Sequence, residues 1–424
     1  MKVELAYGET DLVIDVPAER TTVVTPRQLA AVTDERGAVH AALRHPTAGA
    51  PLRERVRTGQ TVAIAMCDGT RPQPRRVMIP ALLDELAGIV DPDDVVVLVA
   101  TGTHRPNTPA ELESMLGADV LDRVRVVNHD ARDPAALRWV GWFAGDVPVS
   151  LHQAWVDADV RITTGFVEPH FFAGFSGGPK LVAPGLAGLD TALALHDARR
   201  IGDPRATWGV TAGNPVHDAV REIAEATGVD FALDVLLDRR HRIVEVFAGD
   251  LTAEHTAACC AARDLAMVRV PAAFDVVVTT NAGFPLDQNL YQCVKGLSAG
   301  AAVVRQGGTL VCAAECRDGT PDHGSYRQVL ASQSTPAALL RAIETRKVTV
   351  PDQWQVQVQC RVLARARVLL HTSGLTPADL AAAHLEPAAD VSATVRDELA
   401  RLGPDATLCV LPEGPQTIAY VEAP

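Results

Sequence analysis

One stretch, Gly165 to His196 (GFVEPHFFAGFSGGPKLVAPGLAGLDTALALH), gathers two histidines, His170 and His196, several phenylalanines and a Gly177-Gly178-Pro179-Lys180 break. The lysine is the most informative residue in it. Of 39 basic residues only Lys2, Lys180, Lys295 and Lys347 are lysine, so 35 are arginine. A guanidinium stays protonated, whereas an amine can lose its proton when desolvated and become a nucleophile or a tunable donor. Lys180 and Lys295 lie in glycine-containing, motif-like segments and read as chemically chosen; Lys2 and Lys347 read as ordinary surface lysines. Further candidates stand apart in sequence: Asp68, Thr70 and Arg71 in DGTR, His104 in TGTHRP, and Gln292 with Lys295, three residues apart on one helix face.

The elements that must position them alternate. Thr61–Cys67 is a short apolar run ending in the Asp68–Arg71 loop, and helical spacing follows over Val77–Leu86. Asp94–Ala100 repeats the pattern before TGTHRPNTPAEL, where Thr108-Pro109 with Glu111 marks a helix start. Val124–Val127 and Val160–Thr163 read as two more strands. Such alternation predicts a mostly parallel α/β sheet whose strand ends carry the ligand loops, and Asp68, Arg71, His104 and the opening stretch all fall there. His129 has the same placement, but Asn128-His129-Asp130 is a common turn. An amphipathic helix over Val216–Ala226, a hairpin around Arg239–His241 and a helix over Ala253–Met267 lead to a boundary near 270. Phe274–Thr280 then restarts the cycle, with Asp287 as the expected cap of the helix bearing Gln292 and Lys295; a helix N-terminus there suits a carboxylate or phosphate. The expected architecture is therefore α/β: residues 1–270 as an N-terminal cofactor-binding domain and 271–403 as a smaller domain, both with mostly parallel sheets. The strand-like segment 404–424 can return to either, and the active site is expected in the interdomain cleft.

Composition excludes several classes. A chain of 424 residues exceeds one ordinary core at about 150 residues per domain. Its net charge of -13 argues against nucleic-acid or anionic-membrane partners. The start alternates like a strand and lacks a signal-peptide pattern, and no run approaches the roughly 18 apolar residues of a membrane span. Eight cysteines without CxxC pairs, with Cys312 and Cys316 read as buried thiols, fit a reducing cytoplasm.

Three chemistries compete for the constellation. A P-loop fails on Gly174–Lys180, because Pro179 removes a backbone N–H where the cradle needs donors and Leu181 replaces the hydroxyl that holds magnesium. A zinc hydrolase using His104, His170 and His196 has suitable ligands but no HExxH-like spacing. The third is a lysine-anchored cofactor site in which one histidine binds metal and others move protons.

Taken in order, DGTR at Asp68–Arg71, TGTHRP at Thr101–Pro106, EPHFFAGFSGG at Glu168–Gly178, Lys180 with Pro184-Gly185, His196, and Gln292 with Lys295 resemble the nickel-pincer lactate racemase family over nearly the whole chain. The resemblance implies a nickel-pincer nucleotide, a pyridinium mononucleotide holding nickel through sulfur, carbon and sulfur, covalently attached at Lys180, with His196 as the protein ligand to the metal. His104 and His170 are the implied proton-transferring bases. Arg71, Gln292 and Lys295 would hold the substrate's carboxylate and hydroxyl; Asp68, Thr70 and the Gly177-Gly178 backbone would contact ribose or phosphate, and Phe172 would stack on the ring. Cofactor-synthesis proteins are implied partners. The implied activity, racemisation or epimerisation of a 2-hydroxy acid such as lactate, has a coherent logic. Cα deprotonation gives a poorly stabilised dianion, whereas hydride removal with loss of the hydroxyl proton gives a planar 2-keto acid that accepts hydride on either face. Two bases serve the two hands, and a histidine pKa near neutrality suits both. A zinc-dependent hydrolase and a non-catalytic binder of a mononucleotide or organic acid stay open alternatives.

Overall fold

Val62, Ile64 and Met66 alternate with Ala63 and Ala65 along strand β1 (Val62–Cys67), and the two sets enter different hydrophobic cores. Val95, Val97 and Val99 divide from Val96 and Leu98 in the same way along β2 (Val95–Ala100). Strands buried on both faces belong to a helix-covered parallel sheet. In the computed structural model, which describes residues 1–27, 29–321 and 324–421, these strands join β3 (Arg125–Asn128), β4 (Val160–Phe166), β5 (Phe231–Leu237) and β6 (Ile243–Gly249) in the order β6-β5-β4-β1-β2-β3. All neighbours are parallel except β5 and β6, which form the expected hairpin. The chain runs outward from β1 to β3 and returns to β4 on the other side of β1. The loops leaving β1 and β4 therefore diverge, which is where an open α/β sheet takes its ligands.

Helices begin where caps dictate. Thr108 and Glu111 form the capping box of α1 (Pro109–Leu116), with Thr108 N–H donating to Glu111 Oε2 at 2.7 Å. The helices that matter for the site are α2 (Leu189–Leu195), α3 (Pro215–Thr227, capped by Asn214) and α4 (Leu251–Ala266).

A second sheet contains β7 (Phe274–Thr280), β8 (Val304–Ala313), β9 (Ala366–His371), β10 (Glu386–Pro387) and β11 (Leu408–Leu411). Its order is β10-β9-β8-β7-β11, with Thr21–Val23 beyond β11, and every pair is parallel. The mixed α/β class with mostly parallel sheets is thus the observed one.

The chain divides into two compact units, and here the structure departs from the sequence reading. One unit contains Gln28–His196 and Arg205–Leu265; the other contains Met1–Arg27, Asp197–Pro204 and Ala266–Pro424. Residues 1–27 thus pack with the C-terminal part instead of opening the N-terminal domain. The cause is the hairpin Lys2–Tyr7/Thr10–Asp15, which buries Val3, Leu5 and Ile14 in one core with Val276, Val278 and Val311. The segment 404–424 stays in this unit too, because β11 lies between β7 and Thr21–Val23. Residues 197–204 are held there by Gln357 Nε2 donating to Ala198 O and Arg361 Nη1 donating to Ile201 O, each at 2.8 Å.

A smaller correction concerns the helix α5 (Leu290–Ala301) that carries Gln292 and Lys295. Its cap is Asn289, which accepts the Gln292 N–H at 3.0 Å. Asp287 is instead fully buried and accepts from the backbone of Gly8 (2.8 Å) and Glu315 (3.0 Å). No helix among the described residues is long and apolar enough to cross a membrane.

Candidate active site

The loop after β1 is built on buried polar anchors. Arg75 is 6% exposed and donates through Nε to Cys67 O at 2.8 Å, and through Nη2 to Arg71 O at 2.8 Å and to Asp68 O. Gln73 accepts the Cys67 N–H at 2.8 Å and donates to Thr164 Oγ1 on β4 at 2.9 Å. Asp68 is thereby fixed where its carboxylate receives Thr70 Oγ1–H at 2.6 Å and His104 Nδ1–H at 2.7 Å. Burial alone would raise the Asp68 pKa, but the His104 hydrogen bond and charge, with Arg71 and Thr70, outweigh it and hold the carboxyl down at about 2. Arg71 Nη1 donates to Thr70 Oγ1 at 3.0 Å. Asp68, Thr70, Arg71 and His104 therefore form one connected group. A proton on His104 Nδ1 leaves Nε2 as the basic nitrogen of the neutral ring.

His170 lies on a two-residue hairpin, Pro169–His170 against Gly174–Phe175. Its Nδ1 accepts the backbone N–H of Ala173 at 3.2 Å and faces that of Phe172 at 3.5 Å, so the neutral ring carries its proton on Nε2. Phe172 ties the second group together. Its ring meets His170 edge-on at 4.5 Å and His196 at 5.4 Å between centroids, and the Lys180 ammonium lies 5.8 Å over it. The Phe172 carbonyl accepts from Asn214 Nδ2 at 3.0 Å, and Asn214 also caps α3. His196 ends α2, and its Nδ1–H donates to Ala192 O at 2.7 Å, making Nε2 the lone-pair nitrogen.

Between the groups run the turns around Lys180. Gly177 and Gly178 have φ of 73° and 48°, a region that disfavours any side chain. Lys180 N–H donates to Gly177 O, and Lys180 O accepts from Gly185 N–H, both at 3.1 Å. Gly185 O in turn accepts the Gly102 N–H at 2.9 Å, joining the His104 loop to the Lys180 segment.

The structure thus collects Asp68, Thr70, Arg71 and His104 in one group and His170, Phe172, Lys180 and His196 in another, within the same unit and at the carboxyl ends of β1, β2 and β4. Gln292 and Lys295 belong to the other unit, half-buried on α5. His129 is structural: fully buried, its Nε2–H donates to Ala187 O at 2.9 Å, and burial chiefly pushes its pKa down to about 4. Sequence reading missed Gln73, Arg75 and Asn214, although polar residues directly after a strand or before a helix are a usable signal. It also missed Asp234 and His255, which contact the Gly177-Gly178 turn from afar. An aspartate inside the apolar run FALDVLL was their one local sign.

Among the described residues no group of three or more His, Cys, Asp or Glu is placed to hold a metal. His196, with its tautomer fixed by a backbone carbonyl as metal-binding histidines usually are, offers a single nitrogen. A metal here would need its other donors from a bound cofactor. A lysine beside two left-handed glycines, where the backbone can approach a ligand closely, provides an attachment point of matching kind.

A doubly wound α/β unit with histidines, a lysine and a carboxylate at its switch point has the groups that could bind a small polar ligand and move protons. Comparison with known proteins narrows this. Residues 7–209 match the family model described as the lactate racemase N-terminal domain, and residues 270–419 that of the lactate racemase C-terminal domain. The chain is 33% identical over 420 residues, 98% of either chain, to a lactate racemase from Thermoanaerobacterium thermosaccharolyticum. It is 34% identical over 382 residues, 90% of either chain, to one from Lactiplantibacillus plantarum. The solved lactate racemase apoprotein from T. thermosaccharolyticum superposes with a TM-score of 0.92 at 32% identity, covering 99% of this chain and 100% of that one. A Thermotoga maritima protein shares the fold at a TM-score of 0.68 and 19% identity, over 93% of this chain and 100% of the other. The chain belongs to the lactate racemase family, a family of isomerases.

Proposed function

We propose that this protein is a cytoplasmic racemase or epimerase of lactate or a related 2-hydroxy acid, working with a nickel-pincer nucleotide joined to Lys180 and supplied by cofactor-synthesis proteins. The observation that carries the reading is the arrangement around Phe172, which puts a lysine, a tautomer-fixed histidine and a second histidine on one ring. Lys180 would anchor the group, His196 Nε2 would ligate the nickel, and the Gly177-Gly178 backbone would approach the nucleotide. When bound, the group supplies a reversible hydride acceptor. The chain supplies the rest. Arg71 binds the substrate carboxylate from the rim of the β1 loop. His104 Nε2 takes the hydroxyl proton, and Asp68 stabilises the resulting imidazolium through Nδ1–H, as a carboxylate orients histidine in other enzymes. His170 presents an Nε2–H toward the oxygen of the opposite hand. The buried Phe171 and Phe172 exclude water on that side.

Intact-mass and metal measurements on protein co-expressed with a cofactor-synthesis pathway test the assignment. The expected result is an adduct mapped to Lys180 with nickel in equal amount, lost in Lys180→Ala, with nickel also lost in His196→Ala. An unmodified Lys180 without nickel would sink it. Substrate deuterated at Cα tests the hydride step separately: the label stays on carbon during racemisation, and washout into water contradicts it.

A further inference from the structure

Beneath the Gly177-Gly178 turn lies a buried polar cluster that the proposed chemistry does not use. Asp234 is 1% exposed and lies in the middle of β5, opposite Gly165 of β4. Its Oδ2 accepts the Gly178 N–H at 2.7 Å. His255, on α4, donates through Nε2–H to Ser176 O at 2.9 Å. The two residues thus hold the peptide groups on either side of Gly177. Contact is close enough that a Cβ on Gly177 would lie 2.9 Å from Asp234 Oδ1, and one on Gly178 would lie 2.5 Å from the His255 ring. A turn so gripped has little room to shift.

The cluster has a charge problem. Burial raises the carboxyl pKa of Asp234, and burial followed by the Asp234 charge drives that of Glu254, next to His255 and fully buried, well up. Among the described residues, neither Glu254 oxygen nor Asp234 Oδ1 has a partner of ordinary hydrogen-bond geometry, and no lysine or arginine pairs with either carboxyl. His255 is itself pushed toward the neutral form by burial, and it stacks on His217 at 5.9 Å, which burial likewise holds down at about 4. Two buried carboxylates without a cation cannot both ionise at reasonable cost. One proton between them resolves this, and it belongs on Glu254, because Asp234 already accepts an N–H.

We propose that Asp234 and Glu254 hold one proton between them and, with His255, act as positioning residues that fix the Ser176–Gly178 backbone and so aim Lys180. Calling the lysine the cofactor's attachment point rests on the preceding reading; the shared proton and the clamped turn do not. The Glu254 acid proton donates to Asp234, keeping that carboxylate ionised and strongly bonded to Gly178. Without the donor, Asp234 itself takes up a proton and its grip on the turn weakens.

The test uses full-length protein free of cofactor, as wild type, Glu254→Gln and Glu254→Leu. Infrared spectroscopy of the wild type at pH 8 should show a carbonyl band from a buried protonated carboxylic acid, absent in Glu254→Gln. Amide hydrogen exchange of the peptide spanning Gly177–Val182 should match wild type in Glu254→Gln, whose side-chain amide still donates, and should quicken about tenfold in Glu254→Leu. Lys180 loading on co-expression should follow the same order. A wild type lacking the protonated-acid band overturns the proposal, as do equal exchange rates in the two variants. If Glu254→Leu does not fold, the infrared comparison of wild type with Glu254→Gln decides alone. Failure of the wild type to load Lys180 at all would count against the cofactor assignment and leave the exchange and infrared results to judge the clamp.

Discussion

His104 and His170 are the same side chain held in opposite ways. His104 is 43% exposed at its side chain and donates a hydrogen bond through Nδ1–H to a buried carboxylate. His170 receives backbone N–H at Nδ1 and is flanked by Phe171 and Phe172, at 4.9 and 4.5 Å. The first arrangement makes Nε2 a base and stabilises the cation that forms on protonation. The second, with Nδ1 accepting from the backbone, makes Nε2–H a donor, so becoming a base requires the ring to exchange its tautomer and give up the Ala173 contact. On the proposed function, near-symmetric chemistry on two enantiomers would be served by unequal histidines, with the local backbone deciding which is which.

The harshest way to break this comparison is to delete each ring. His104→Ala and His170→Ala should each lower racemisation by about 10²–10⁴-fold, the usual contribution of a positioned acid or base. Racemisation alone would not separate them, since on the proposed mechanism a full turnover uses both. Single-turnover formation of the 2-keto acid should: each variant should retain it with one enantiomer, and with opposite ones. Both variants retaining the same hand would refute the division of labour.

Removing the carboxylate sharpens the contrast at lower cost. Asp68→Asn leaves His104 in place without its anion, and kcat should fall by about 10²-fold with KM changed far less. His170 function, read by single turnover of the other enantiomer, should be nearly untouched. The same variant has a stability signature. Because the Asp68 pKa is depressed in the folded protein, its contribution is fully present above the unfolded carboxylate pKa of about 3.9 and is lost as pH falls through the folded value, here about 2. Urea melts should show wild type more stable than Asp68→Asn at pH 6, by roughly 1–2 kcal/mol once the exposure of His104 is allowed for. The gap should narrow below pH 4. A gap that widens on acidification would mean that Asp68 is not held as described.

How far these features are legible in sequence depends on distance along the chain. The His104 group was readable because Asp68, Arg71 and His104 each follow a buried apolar run, and the sheet order then carries them to one edge. The tautomers were not readable: they depend on which backbone groups meet each ring, such as Ala173 for His170 and Ala192 for His196. Asp234 and His255 act on backbone 56 and 79 residues earlier in the chain, a pairing no local pattern encodes. The first 27 residues were misplaced because an amphipathic hairpin fits either core, and only long-range bonds such as Ala6 N–H to Pro412 O at 3.0 Å decide between them. Asp287 and Asn289 both stand where a cap is wanted, and residue type alone cannot separate a cap from a buried acceptor.

The mildest test asks whether the two groups also differ in rigidity, with a glycine as the probe in each. Gly178 needs the left-handed region at φ 48°, and an added methyl would meet the His255 ring at 2.5 Å, in a buried turn already bonded on both sides. Gly178→Ala should therefore cost about 1–3 kcal/mol in urea melts of cofactor-free protein and reduce Lys180 loading. Gly69, in the Asp68 loop, is exposed and does not occupy that region. Its added methyl would meet the Asn107 side-chain amide at 2.7 Å, which can rotate away, and the Met115 sulfur at 3.3 Å, the far part of a flexible side chain. The Asn107 contact it displaces is a long one, Gly69 N–H to Asn107 Oδ1 at 3.4 Å. Gly69→Ala should change stability by no more than about 0.5 kcal/mol. The Asp68–His104 bond depends on Arg75 and Gln73, not on this turn, so kcat should stay close to wild type. If Gly69→Ala proved the more damaging of the two, the lysine turn would not be the stiffer region, and the rigidity assigned to the buried clamp would have to be placed in the β1 loop instead.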